Sequence, residues 1–307
     1  MSNEVVIELT DRKQSAAFVY VSSLNSAISR RTMGSALGII ARKLGAANAY
    51  EFHWEKLRYP ELAAIQTWLA GTRSPATARR MVSAVRGTIK AAWRLGYIDT
   101  DSYLKTVDLP PVHGNSRMGR RATEEELAAL FATCRAGAPN RGARDLAILT
   151  TMFRLGLRVG EIVAAVRSDY QEGTLLVHGK GKKLREVYLY GGIRSAMEEW
   201  LERRGNHAGA MFEVIEWDDS ISHRPISSTL SVWEMFDKRT RWAGIRRLSP
   251  HDARRTSASN LLNIADAMVV SRILGHASVN MTLRYDLRGN LEQKTACERA
   301  AQIEVQQ

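Results

Sequence analysis

Apolar positions at helical spacing dominate the first hundred residues. Phe18, Val21 and Leu24 mark a helix over residues 16–28, and Leu37, Ile40 and Leu44 mark another over 35–44. Leu62, Ile65, Trp68 and Leu69 continue the pattern through 61–69. Ser74-Pro75 then offers an N-cap with proline at the first helical position, which opens a helix over 76–95 that Gly96 can stop. Trp54, Trp68 and Trp93 lack interleaved basic residues and are expected in a core rather than against bases. The periodicity fails over 106–121, where Pro110-Pro111, Gly114, Asn115 and Gly119 gather.

Beyond that break the pattern changes. Thr123-Glu124-Glu125-Glu126 forms a capping box ahead of Leu127, Leu130 and Phe131. Residues 143–154 predict a buried helix, Gly156 a turn, and Arg158 the start of a further helix. Short β-like runs at 174–178 and 185–190 flank Gly179-Lys180-Gly181-Lys182-Lys183, a hairpin signature. Everything after Ile193 reads helical, including the tail with Leu291, Ala296, Ala300 and Ile303. The expected fold class is mainly α with a small antiparallel β-sheet. The expected organisation is a helical domain over 1–108, a linker over 109–121, and an α+β domain over 122–307.

Charge adds a partner. The 307 residues carry 44 Lys+Arg against 32 Asp+Glu, a net +12. Residues 1–112 hold 15 basic and 9 acidic side chains, so each half contributes +6. An excess shared this way suits a protein that meets a polyanion with both halves, although an ordinary basic protein would also fit. The same choice applies to Arg79, Arg80, Arg86, Lys90 and Arg94, and to Arg117, Arg120 and Arg121: a solvated face, or contacts to a phosphate backbone. Cys134 and Cys297 show no pairing pattern, the N-terminus lacks a signal peptide, and no apolar stretch is long enough to span a bilayer. A cytoplasmic protein is expected.

Chemistry concentrates near the C-terminus. Ser249-Pro250 caps a helix whose first turns carry His251 and Arg254, three apart and so on one face. A helix N-terminus attracts phosphate through its free N–H groups and dipole. Arg158, in Gly156-Leu157-Arg158-Val159-Gly160-Glu161, sits among apolar neighbours and needs an anionic partner, whether Glu161 or a bound phosphate. Lys180 tips a glycine-flanked hairpin. His276, in Leu274-Gly275-His276, is placed at a helix start, and Tyr285 follows nine residues later. A phenol with a pKa near 10 needs cations and a base to act as a nucleophile. No metal-ligand spacing, nucleotide-binding loop or Ser/Cys nucleophile motif stands beside these groups. The set meets the needs of phosphodiester cleavage without a metal.

In order and spacing, Arg158, Lys180, His251, Arg254, His276 and Tyr285 resemble the catalytic pattern of the tyrosine recombinase (phage integrase) family. The resemblance spans the expected second domain, and the helical first domain is similar to that family's core-binding domain. Two departures are Arg255, where the family often has His or Lys, and Tyr188, where it often has Pro. The resemblance implies site-specific recombination through a 3′-phosphotyrosine made by Tyr285. It gives Arg158 and Arg254 the developing phosphate charge, Lys180 the leaving 5′-oxygen, His251 the phenolic proton, and His276 a phosphate contact or proton transfer. It implies no cofactor, neither ATP nor metal. It also implies a double-stranded DNA partner clamped by both domains, a homotetramer at synapsis, and a tail docking on the next protomer. A topoisomerase-like enzyme or a noncatalytic DNA-binding regulator are the rivals; the helical first domain speaks against one and the complete set of six groups against the other. The short segment before residue 13 suits a simple Xer-like recombinase better than a large phage integrase.

Overall fold

A computed structural model describes residues 15–114, 119–179, 183–276, 278–283, 285 and 297–298. Lys180 and the expected tail positions Leu291, Ala296, Ala300 and Ile303 lie outside the described residues. The chain divides into two compact units, Met1–Met118 and Gly119–Gln307.

The first unit is helical, with α1 (Ala16–Ser22), α2 (Ala27–Lys43), α3 (Tyr59–Thr72), α4 (Pro75–Arg94) and α5 (Thr100–Val107). The helix expected to run to Ile28 ends at Ser22. Ser22, Ser23, Asn25 and Ser26 compete for backbone partners, and the Ser26 side chain accepts from the Ser29 amide to start α2 afresh. Helix α5 was not anticipated; Asp99 caps it by accepting from Ser102 N. Helix α4 follows the Ser74-Pro75 signal. It buries Met81, Val85, Ile89 and Ala92 while exposing Arg80, Lys90 and Arg94. Trp54 is fully buried, and Trp68 and Trp93 pack against the same core. The break in periodicity is tied down at its start: Arg86 donates to Leu109 O (2.7 Å), Gln66 to Pro110 O (2.9 Å), and Val112 is buried.

The second unit begins equally anchored, with Arg120 N donating to Asp252 Oδ1 (2.8 Å) and Ala122 N to Thr256 Oγ1 (2.9 Å). It contains α6 (Glu124–Arg135), α7 (Pro139–Leu155), α8 (Val159–Ala164), β1 (Tyr170–Gln171), β2 (Thr174–His178), β3 (Leu184–Tyr188) and α9 (Gly191–Arg204). There follow β4 (Glu213–Ile215), β5 (Ile221–Pro225), α10 (Thr229–Trp242), α11 (Pro250–Leu262), α12 (Ala267–Leu274) and α13 (Val279–Leu283). Helix α7 is buried on nearly every side, its Ile148, Leu149, Met152 and Phe153 enclosed by α6, α9 and α11. Burying a side chain such as Leu149 or Phe153 stabilises the fold by about 1.5–3 kcal/mol. Asp145 of α7 meets Arg239 of α10 at 2.7 Å in this core, both nearly inaccessible. Breaking such a pair from one side costs about 3–5 kcal/mol.

Strands β1, β2 and β3 form an antiparallel sheet in that order. Leu175 faces Val187 and Val177 faces Arg185 across the β2–β3 ladder. The fold class is therefore as expected, mainly α with small antiparallel sheets. One expectation fails: the region after Ile193 is not all helical. Strands β4 and β5 form a second antiparallel pair, closed by Asp219 in the left-handed region at φ 68°. Val214, Ile215 and Ile221 favour the extended state, but the strands are too short and irregular in register to leave a clear alternation. Among the described residues no helix is long and apolar enough to cross a membrane.

Candidate active site

Three segments of the second unit converge behind Gly156. This residue ends α7 in the left-handed conformation, φ 70°, a region glycine enters without steric cost. A side chain here would run into Leu274 and crowd Ser257, so glycine lets the ends of α7 and α12 meet against α11. Two residues on, Arg158 is the N-cap of α8. Its amide donates to Glu161 Oε2 (2.9 Å) and its guanidinium to Glu161 Oε1 (2.7 Å).

The sequence had suggested Glu161 as one partner for one arginine. Arg185, from β3, also donates to both oxygens of this carboxylate, at 2.9 and 2.8 Å. Arg254, buried on α11, donates to Gly156 O. One further donor of each of the three arginines caps the end of α12. Arg185 Nε reaches Ile273 O (2.9 Å), Arg254 reaches Leu274 O (2.7 Å), and Arg158 reaches Gly275 O (2.9 Å). The last carbonyls of a helix lack intrahelical partners and carry its negative dipole end, so consecutive cations suit them. Gly275, at φ 62°, permits the approach; a side chain there would press on the Arg185 guanidinium.

The charges do not balance locally. Glu161 is buried, which works against its ionised form, but Arg185 and Arg158 outweigh that and hold its pKa below the usual carboxylate range. Burial, then Arg158, brings Arg254 down to about 10, still protonated at neutral pH. One carboxylate thus serves a cluster of three guanidiniums, which leaves net positive charge for an incoming anion. Burial and the fields of Arg254, Arg158 and Arg185 push His276 down to about 4, so its imidazole is neutral at pH 7. His276 Nδ1 lies 2.7 Å from Thr282 Oγ1.

Tyr285 follows α13. Its amide donates to Thr282 O (2.9 Å), and its carbonyl accepts from Ser259 Oγ (3.2 Å). The ring packs on a small core of Ala258, Leu262, Val270 and Leu274. The His276 ring lies 6.0 Å away and nearly parallel, and the Arg255 guanidinium stands 5.3 Å over the phenol ring. His251 is exposed at the start of α11, one turn from buried Arg254, and makes no hydrogen bond among the described residues. Partial burial and then Arg255 lower its pKa, so it too is neutral at pH 7.

Arg158, Arg254, His276 and Tyr285 are therefore brought together, His251 adjoins them beside Arg255, and Lys180 lies outside the described residues. His276 does not start a helix as expected. It follows the left-handed cap of α12, its amide bonded to Ser271 O (3.0 Å). Sequence reasoning missed Arg185 and Thr282. Arg185 had left a signal: it is a charge at an inward, alternating position of a half-buried strand, opposite Val177.

This geometry has relatives. The phage integrase family model matches residues 120–288. A tyrosine recombinase XerD of Xanthomonas campestris is 32% identical over 225 residues, 70% of this chain and 68% of that protein. A tyrosine recombinase XerC of Staphylococcus carnosus is 27% identical over 88% of this chain and 90% of its own length. Among solved structures, a lambda integrase dimer bound to a COC′ core site superposes with a TM-score of 0.69 at 18% identity, covering 89% of this chain and 93% of that one. XerH bound to a palindromic difH substrate gives 0.67 at 22%, covering 90% and 80%. These two structures are alike in fold. The chain belongs to the phage integrase family and is a Xer-like tyrosine recombinase, an enzyme of site-specific DNA recombination.

Proposed function

We propose that Tyr285 is the nucleophile and that the arginine cluster receives the scissile phosphate. The observation that carries this reading is the surplus of guanidinium charge beside Glu161, with a phenol packed alongside. The Tyr285 oxygen bonds to phosphorus as the bond from phosphorus to the 5′-oxygen breaks, giving a 3′-phosphotyrosine and a 5′-hydroxyl. Arg158 and Arg254 stabilise the charge developing on the non-bridging oxygens. His251 takes the phenolic proton and Lys180 supplies one to the leaving 5′-oxygen. His276, with a pKa near 4, is a poor base; with the Thr282 hydroxyl donating to Nδ1, its Nε2–H serves the phosphate instead. Attack by the 5′-hydroxyl of a partner strand reverses the step and rejoins the DNA.

The partner is a double-stranded recombination site, gripped by the helical unit as core-binding domain and by the catalytic unit. Four protomers pair two sites, a count supported by a lambda integrase tetramer bound to a Holliday junction. The enzyme works in the cytoplasm, on DNA of the host. A nicked suicide substrate tests the core of this reading. Wild type traps a covalent protein–DNA adduct, and Tyr285→Phe traps none while shifting the same DNA in a gel. Adduct at wild-type yield from Tyr285→Phe would place the nucleophile elsewhere.

A further inference from the structure

Glu213 opens β4 with 2% of its surface exposed, and a carboxylate so buried requires partners. Two histidines converge on it. His207, in the loop after α9, has Nε2 2.8 Å from Oε1, and His223, on β5, has Nδ1 3.2 Å from Oε2. Their rings stand at 87° with centroids 4.6 Å apart. One nitrogen from each ring and a Glu213 oxygen all lie within 4.8 Å of one another. His223 holds φ at 57°, an uncommon backbone state for a side-chain-bearing residue that persists only where its surroundings enforce it.

Two imidazoles and a carboxylate are a donor set that suits zinc, with a water completing the tetrahedron. Tetrahedral donors bonded to zinc at about 2.0–2.1 Å stand about 3.3 Å from one another, so the 2.8 and 3.2 Å contacts of the histidines with Glu213 open slightly to admit the ion. His207 and His223 are 39% and 63% exposed in their side chains, so each has room to make that adjustment. Arg204 forms the outer layer. Fully buried, it donates to Ala210, Gly205 and His207 carbonyls and stands 3.2 Å from Glu213 Oε1. An outer partner of this kind orients a ligating carboxylate. None of these residues takes part in the cleavage chemistry proposed above.

We propose that His207, Glu213 and His223 bind a zinc ion, which ties the loop behind α9 to the β4–β5 hairpin. The full-length protein, titrated with Zn²⁺ against a chromophoric chelator, is expected to take up one ion per chain and to unfold at a higher temperature with the metal present. His207→Ala and His223→Ala change exposed side chains, and circular dichroism checks that both variants stay folded. Removing an outer partner already weakens metal sites by 10–100-fold, so each loss of a direct ligand is expected to weaken binding by about 100-fold or more. Both variants should also lose the zinc-dependent rise in unfolding temperature. Absence of stoichiometric binding in wild type overturns the site. So does undiminished binding in either variant, which would leave the ion on other donors.

Discussion

At Glu161 a single carboxylate accepts from two guanidiniums, and a third arginine lies close enough for its charge to be felt. The neighbouring imidazole registers that imbalance. An unfolded histidine titrates near 6.5, whereas His276 in the folded chain titrates at about 4. Between those values the unfolded chain binds more protons, so the stability present above about pH 6.5 drains away as pH falls toward 4. Wild type should therefore lose more stability than His276→Gln between pH 6.5 and 4.5, read from urea midpoints at each pH. Parallel profiles would mean that His276 is not depressed. The candidate residues were legible because each stands beside strong punctuation: Gly156 before Arg158, Ser249-Pro250 before His251 and Arg254, Gly275 before His276. Thr282, which fixes the orientation of His276, sits in a short run with nothing to set it apart.

The end of α12 joins these residues into a working arrangement, since Ile273, Leu274 and Gly275 each offer a carbonyl to a different arginine. Arg185 is assigned no phosphate contact; it holds Glu161 and the α12 terminus in place. Arg185→Ala should bind DNA almost as well as wild type but form phosphotyrosine more slowly, on the order of 10²-fold, the effect of a small misplacement of reacting groups. It should also raise the titration midpoint of His276, because Arg185 is one of the charges depressing it. Unchanged cleavage with an unchanged midpoint would reduce Arg185 to scaffolding. The sequence could not show this linkage, because Arg185 and Arg158 stand 88 and 117 residues from the carbonyls they hold. The β4–β5 pair escaped notice for a different reason. Its turn relies on Asp219 and its strand on His223, both at positive φ without glycine to announce it.

The +12 net charge is +6 on either side of residue 112, which suits DNA contact by both units. Arg80 and Lys90 lie exposed on α4, on the side away from its buried stripe. If they meet backbone phosphates, Arg80→Glu and Lys90→Glu should weaken binding to any sequence alike. Each lost contact should also reduce the slope of log affinity against log salt by about one. The fraction of bound DNA that is cleaved should stay the same. A slope unmoved by both changes would put the DNA on another face of the helical unit.

The arginine caps also fix when the enzyme can become dangerous. Arg158 and Arg185 are synthesised long before the carbonyls they hold, Arg158 by 117 residues. At roughly 5–20 residues per second on the ribosome, that gap lasts roughly 6–23 s. For most of it the growing chain has Arg158 and Arg185 but not yet Arg254, the helix end or Tyr285. If Tyr285 is the nucleophile, a polypeptide abandoned at any point before α12 has no means to break a strand. The proposed attacking group is made only after every arginine of the cluster.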